Sequence, residues 1–166
     1  MIKQLSIVAA LSLLLLSAVA ANAATDSSSI DAEIVAAIAI TNTVGLQFGQ
    51  IASSASSGTV TVSTAGVRSS TGGVTLANGT AATAASFSVT GANDNTYAIT
   101  LPADGSTTIT GPGTAMGVNF VSNPSGTGTL SGAGAQTLLV GATLSVGASQ
   151  TAGAYSGTFD ATVEYN

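Results

Sequence analysis

The chain has 166 residues, 5% of them charged, with 20 glycines and no cysteine, histidine or tryptophan. Two basic residues, Lys3 and Arg68, stand against seven acids, so no basic cluster exists to neutralise phosphates, and nucleic-acid binding is excluded. Zinc, haem and thiol chemistry need the His or Cys that is missing here, as does a Ser–His–Asp hydrolase. The length suits one domain able to bury a core.

Met1–Ala23 reads as a secretory signal peptide. Lys3 supplies the positive start, Leu5 to Ala20 is apolar apart from three serines, and Ala21-Asn22-Ala23 gives the small-x-small cleavage pattern. An uncleaved anchor is the competing reading, since the run is near the length that spans a bilayer. The cleavage pattern and the polar Thr25–Ser29 stretch favour removal. The mature chain would then have 143 residues, one basic side chain against seven acids, and a net charge of −6. Export is therefore expected, first to the periplasm and then to the cell surface or beyond. No disulfide can form, so packing and strand pairing must hold the exported fold.

After a Ser/Asp linker, Ile30, Ala32, Ile34, Ala36, Ile38 and Ile40 share one face of an alternating run. Eleven residues is long for an ordinary strand. The run can divide, with residues 24–36 as an N-terminal extension that pairs elsewhere and 37–166 as the domain. Further on, Gly58–Thr64 alternates through Val60 and Val62. Phe87 and Val89 alternate with Ser86, Ser88 and Thr90. Gly91–Asn95 is a turn cluster, and Tyr97, Ile99 and Leu101 resume the alternation, which predicts a hairpin. Strands are also predicted at Thr107–Thr110, Ala115–Val121 and Thr137–Val146. Pro112 and Pro124 fall between strands, where a missing N–H costs least. Ser53–Gly58, Ser69–Gly73 and Ser125–Ala135, rich in small polar residues, are predicted connections. No window sustains a helical apolar period, so the class is all-β, and many short strands spaced by turns predict a sandwich.

The C-terminus carries the cleanest strand pattern. Tyr155, Gly157, Phe159, Ala161, Val163 and Tyr165 fall on one face, and Ser156, Thr158, Asp160, Thr162 and Glu164 on the other. An apolar edge at a chain end is one that proteins usually blunt. Gly49, Gly91 and Gly153 suit turns or bulges. The Gly91–Asn95 cluster offers a single carboxylate, too few for calcium. Asp160 and Glu164 lie roughly 13 Å apart along a strand, beyond the range of about 5–9.5 Å that glycoside hydrolysis requires. No catalytic, cofactor or metal site is expected.

These two ends resemble subunits of chaperone–usher pili, which end on a penultimate aromatic residue with a Gly fourteen from the C-terminus. Here Tyr165 is penultimate and Gly153 is fourteenth from the end. Leu46-Gln47-Phe48-Gly49-Gln50-Ile51, with Gly153, Tyr155, Gly157, Phe159, Val163 and Tyr165, is also similar to a bacterial secreted family, domain of unknown function 4402. That similarity spans nearly the whole mature length. Many pilins carry a disulfide near the start of the domain, and this chain has no cysteine.

The resemblance implies an immunoglobulin-like β-sandwich lacking its last strand and completed by a donor strand. The acceptor groove beside the C-terminal strand would involve Gly153, Tyr155, Phe159, Ala161, Val163 and Tyr165. The donor face would be Ile30, Ala32, Ile34, Ala36 and Ile38, with Asp31 and Glu33 toward solvent. A periplasmic chaperone would lend a strand first, and a neighbouring subunit would replace it at an outer-membrane usher. The expected function is a non-enzymatic structural subunit of an extracellular fibre, pilus- or fimbria-like, supporting adhesion or biofilm. The alternatives are a self-complemented secreted sandwich that binds carbohydrate or another surface, and a coat protein that assembles without an usher. N-terminal sequencing of the exported protein is expected to begin at Ala24; a chain retaining Lys3 would mark an uncleaved anchor.

Overall fold

The computed structural model describes residues 23–166. The expected leader therefore lies outside the described residues, apart from Ala23. The chain divides into a unit ending at Glu33 and a second unit, Ile34–Asn166. In the first, residues 23–33 are exposed and carry no regular secondary structure.

The second unit is all-β, with no helix among the described residues. Its ten strands are β1 (Ala39–Val44), β2 (Ile51–Val62), β3 (Arg68–Leu76), β4 (Ala85–Thr90), β5 (Thr96–Thr100), β6 (Thr107–Ile109), β7 (Met116–Asn123), β8 (Thr127–Thr129), β9 (Ala135–Val146) and β10 (Thr162–Tyr165). They form two antiparallel sheets in a sandwich-like arrangement. The larger sheet has seven strands in the order β1-β4-β9-β2-β3, with β7 also on β9 and β6 on β7. The smaller runs β10-β5-β8.

β9 is the shared strand. Its first half, Ala135–Val140, pairs with β4, and Ala142–Val146 pairs with β2. β7 takes Leu139–Leu144. The partner changes at Gly141, and Val140, Gly141 and Ala142 are consecutively buried there, which a strand facing one core alone would not show.

Two apolar clusters follow. The first joins Ala85, Phe87 and Val89 of β4 and Leu138 and Val140 of β9 to Tyr97 and Ile99 of β5, Leu130, and Val163 of β10. It is the space between the two sheets. Tyr97 is fully buried, and its hydroxyl donates to Gln136 Oε1 at 2.7 Å. Burial raises its phenol above the ordinary value. This contribution to stability is therefore present below pH about 10 and is lost as pH rises through the folded value. The second cluster joins Val60 of β2, Val74 of β3, Met116 and Val118 of β7, and Ala142, Leu144 and Val146 of β9. No residue of the smaller sheet belongs to it.

Several local expectations are corrected. β4 and β5 are not a hairpin: they lie in different sheets, and Gly91–Asn95 arches between layers. Period-two alternation shows which face is apolar, but a side-by-side partner and one across the core give the same pattern. Ser69–Gly73 belongs to β3 and Ser53–Gly58 to β2, with a register shift between Ser53 and Gly58. β3 ends the sheet, so its outward positions take small polar side chains, and Thr59 and Thr71 hydrogen-bond across the pair at 2.8 Å. The predicted connection Ser125–Ala135 contains β8.

The two kinds of apolar residue separate in stability. Leu138→Ala is expected to cost about 2–5 kcal/mol, whereas Val121→Ala, at a side chain 56% exposed, should stay within about 0.5 kcal/mol. Urea midpoints of the two variants check this.

Candidate functional site

The face that the smaller sheet leaves over the second cluster is covered only by half-buried side chains. Leu46, Phe48, Ile51, Ile109, Phe120 and Tyr155 pack on it. Between them opens a groove of about 960 Å³. Met116 and Val118 of β7 and Leu144 of β9 line its floor, with Phe87 and Phe120 beside them. One wall is the segment Gly45–Ile51 and the other is Gly153–Phe159.

Both walls are irregular chain with little ladder of their own. Gln47 bridges Thr83, and Ser156 bridges Thr110. The Thr83 hydroxyl donates to the Gly45 carbonyl at 2.8 Å. Among the described residues, the backbone from Gly157 to Ala161 makes no backbone hydrogen bond, and neither do Leu46 and Gly49. Unpaired backbone beside an apolar floor is what a sheet edge offers to another strand.

The C-terminal pattern is not one continuous strand, contrary to expectation. Only Thr162–Tyr165 forms β10, which pairs with β5 in the register Val163 to Ile99 and Tyr165 to Tyr97. From Gly157 to Ala161 the backbone makes no ladder, although β6 lies beside Gly157, so the alternation persists without the pairing. Of the acceptor residues expected from the sequence, Gly153, Tyr155 and Phe159 line the groove. Ala161, Val163 and Tyr165 do not: they pack against the first cluster. Phe159 stacks on Phe120 at 4.4 Å between centroids and meets Phe87 edge-on at 6.0 Å, so it sits where the two clusters join. Tyr155 packs over Gly111 and Gly113, and its hydroxyl donates to the Thr151 carbonyl at 2.8 Å. Gly153, at φ 149°, brings the chain against Pro112 Cγ, where a Cβ would fall 2.5 Å away.

The donor residues expected from the sequence are also divided. Ile30 and Ile34 are 96% and 97% exposed. Ala32 and Ala36 are exposed, and none of these four lies in a strand. Ile38 is half-buried and packs on the first cluster of its own domain, as does Ile40 of β1. The Tyr165 hydroxyl donates to the Ala36 carbonyl at 2.9 Å and accepts from the Ala92 amide.

Sequence reasoning missed Arg68. Its Nη1 donates to the carbonyls of Phe48 at 3.1 Å and Gln50 at 2.9 Å, and its Nη2 donates to that of Ala77 at 3.0 Å. The only basic residue among the described residues thus holds three main-chain oxygens of the groove rim. Its isolation in so uncharged a chain was the available signal. Gly49, at φ 71°, lies directly over this guanidinium, where a Cβ would fall 2.5 Å from Nη1 and 2.6 Å from the Thr80 carbonyl. Among the described residues, no group of three or more acidic, His or Cys side chains is placed to hold a metal ion.

A β-sandwich with an open strip along one edge is thus the class of domain these residues build. The family model described as a domain of unknown function (DUF4402) matches residues 38–165, and the chain belongs to that family. No curated protein matches the chain, and no solved structure does.

Two left-handed glycines provide a matched test of the rim. Gly66, at φ 76°, has its nearest atom at 3.9 Å, so Gly66→Ala should cost only the backbone strain of about 1–2 kcal/mol. Gly49→Ala must also displace Arg68 and should cost at least about 1 kcal/mol more. Chemical denaturation of both variants measures the difference.

Proposed function

We propose that the chain is a structural subunit of an extracellular fibre that polymerises by donor-strand exchange. The observation that carries this reading is the groove: an apolar floor between two walls with little ladder, one of which runs on into Gly157–Ala161, five consecutive residues whose backbone makes no backbone hydrogen bond. The occupant is the extension 24–36 of a second copy. Ile30, Ala32 and Ile34 alternate with Asp31 and Glu33, so an inserted strand would turn both isoleucines to the floor and both acids to solvent. Each isoleucine offers about 1.5–3 kcal/mol on burial, and new ladder bonds would satisfy the open wall.

On this reading the domain is an immunoglobulin-like sandwich short of one strand. The exposed isoleucines support the donor role, and the free face is shorter than the sequence pattern suggested, because Ile38 already packs at home. Such a contact joins the front of one subunit to the groove of the next. It is head-to-tail and does not close, so it propagates. An exported subunit with an open groove needs a temporary occupant, which is the place for a periplasmic chaperone, and an outer-membrane usher would exchange that occupant for the next subunit. Adhesion or biofilm support is the use such a fibre would have.

The test is an unboiled denaturing gel of the mature chain from the periplasm, beside a variant lacking Ala24–Ala36 and an Ile34→Asp variant. The expected result is a ladder that collapses on boiling, vanishes with the deletion and fades with the substitution. Monomer in every lane would mean a self-sufficient sandwich, with the groove open to a different ligand.

A further inference from the structure

Resting on that reading, we infer that Arg68 is the positioning residue of the groove: its guanidinium sets the wall Gly45–Gln50 at the spacing an incoming strand requires. A strand inserted between two walls needs each at about 4.8 Å, so the walls must stand roughly 9.6 Å apart along the whole insertion. The wall Gly153–Phe159 has the Ser156–Thr110 bridge and the aromatic stack of Phe159 to fix it. The facing wall has the Gln47–Thr83 bridge near its middle and, beyond it, no ladder until β2 begins at Ile51.

Arg68 fills that gap from behind. One nitrogen holds Phe48 and Gln50, and the other reaches Ala77, just past the end of β3. All three held residues line the groove, whereas Arg68 itself lies at the start of β3, away from the lining. The fork is therefore a brace between β3 and the wall. Gln50 is held a second time, its carbonyl accepting from the Ala77 amide at 3.1 Å. A planar guanidinium fits three fixed carbonyls with little loss of freedom, and an ammonium does not reproduce that geometry. The left-handed Gly49 lets the chain pass over the fork without a side chain in the way. Arg68 lies outside the groove lining and spends its fork on main-chain carbonyls, so the residue acts on the wall's shape.

The mature full chain is compared with its R68Q and R68K variants in three measurements: rate of ladder formation on unboiled gels, amide hydrogen exchange, and the thermal midpoint. R68Q is expected to slow ladder formation by at least about tenfold, the worth of one to two lost hydrogen bonds to a charged group. Exchange should accelerate at the amides of Gln47 and Ala77, which hold this wall to its neighbours, and stay unchanged in β10. R68K, which keeps the charge without the fork, should fall between wild type and R68Q. A general loss of stability would instead speed exchange in both walls together. If R68Q does not fold, R68K alone decides. A ladder from either folded variant within about twofold of the wild-type rate, below what one lost hydrogen bond produces, overturns the assignment, as does unchanged exchange at the Gln47 and Ala77 amides. If the wild-type chain itself forms no ladder, the fibre reading fails. A normal wild-type ladder with an equally fast variant ladder sinks only the role of Arg68.

Discussion

Backbone pairing through β9 is the constraint on which the other elements depend. β4, β2 and β7 all pair with it, and both apolar clusters take residues from it. A chain without disulfides and almost without charge has few other means of fixing one strand against another. Because one strand serves two clusters, the sandwich cannot cover both with the short β10-β5-β8 sheet. The first cluster is closed by it, and the second is left with half-buried side chains.

The groove is thus a product of topology rather than of an isolated pocket. Its floor belongs to the larger sheet, which also forms one side of the first cluster, and Phe159 meets both Phe87 and Phe120. The two sequence motifs, Leu46–Ile51 and Gly153–Tyr165, acquire a physical sense there. Leu46 and Phe48 cover the second cluster, Gly49 makes way for Arg68, and Tyr155 and Phe159 hold the opposite wall. The two motifs lie about a hundred residues apart in sequence and form the two sides of one opening.

Much of this was legible before any coordinates. Val60, Phe87, Val89, Tyr97 and Ile99 alternate as half-buried strands must, and every one is buried. The β6, β7 and β9 segments fell close to their predicted bounds. What the pattern could not carry was partnership. The arch at Gly91–Asn95 looks like a hairpin because its flanking strands alternate equally well in either arrangement. β3 looked like a connection because an edge strand with one wet face needs few large apolar residues. The C-terminal run looked like one strand because alternation records which face is apolar, and not whether a neighbour exists to pair with. Arg68 had no pattern at all, since three carbonyls brought together from β2's approach and β3's end leave no spacing in the sequence.

The hydrogen bond from Tyr165 to the Ala36 carbonyl has a mechanical meaning. It fastens the root of the extension to the last strand, so that the two ends of the domain leave it from one place, with β1 beside β10. In a filament joined as proposed, tension arriving through one subunit's extension would pass at Ala36 straight toward the strands that grip the next. The load would run along β1 and β10 in shear, the direction in which a row of ladder bonds resists together. The bulk of the larger sheet would hang beside that line, carried without being stretched.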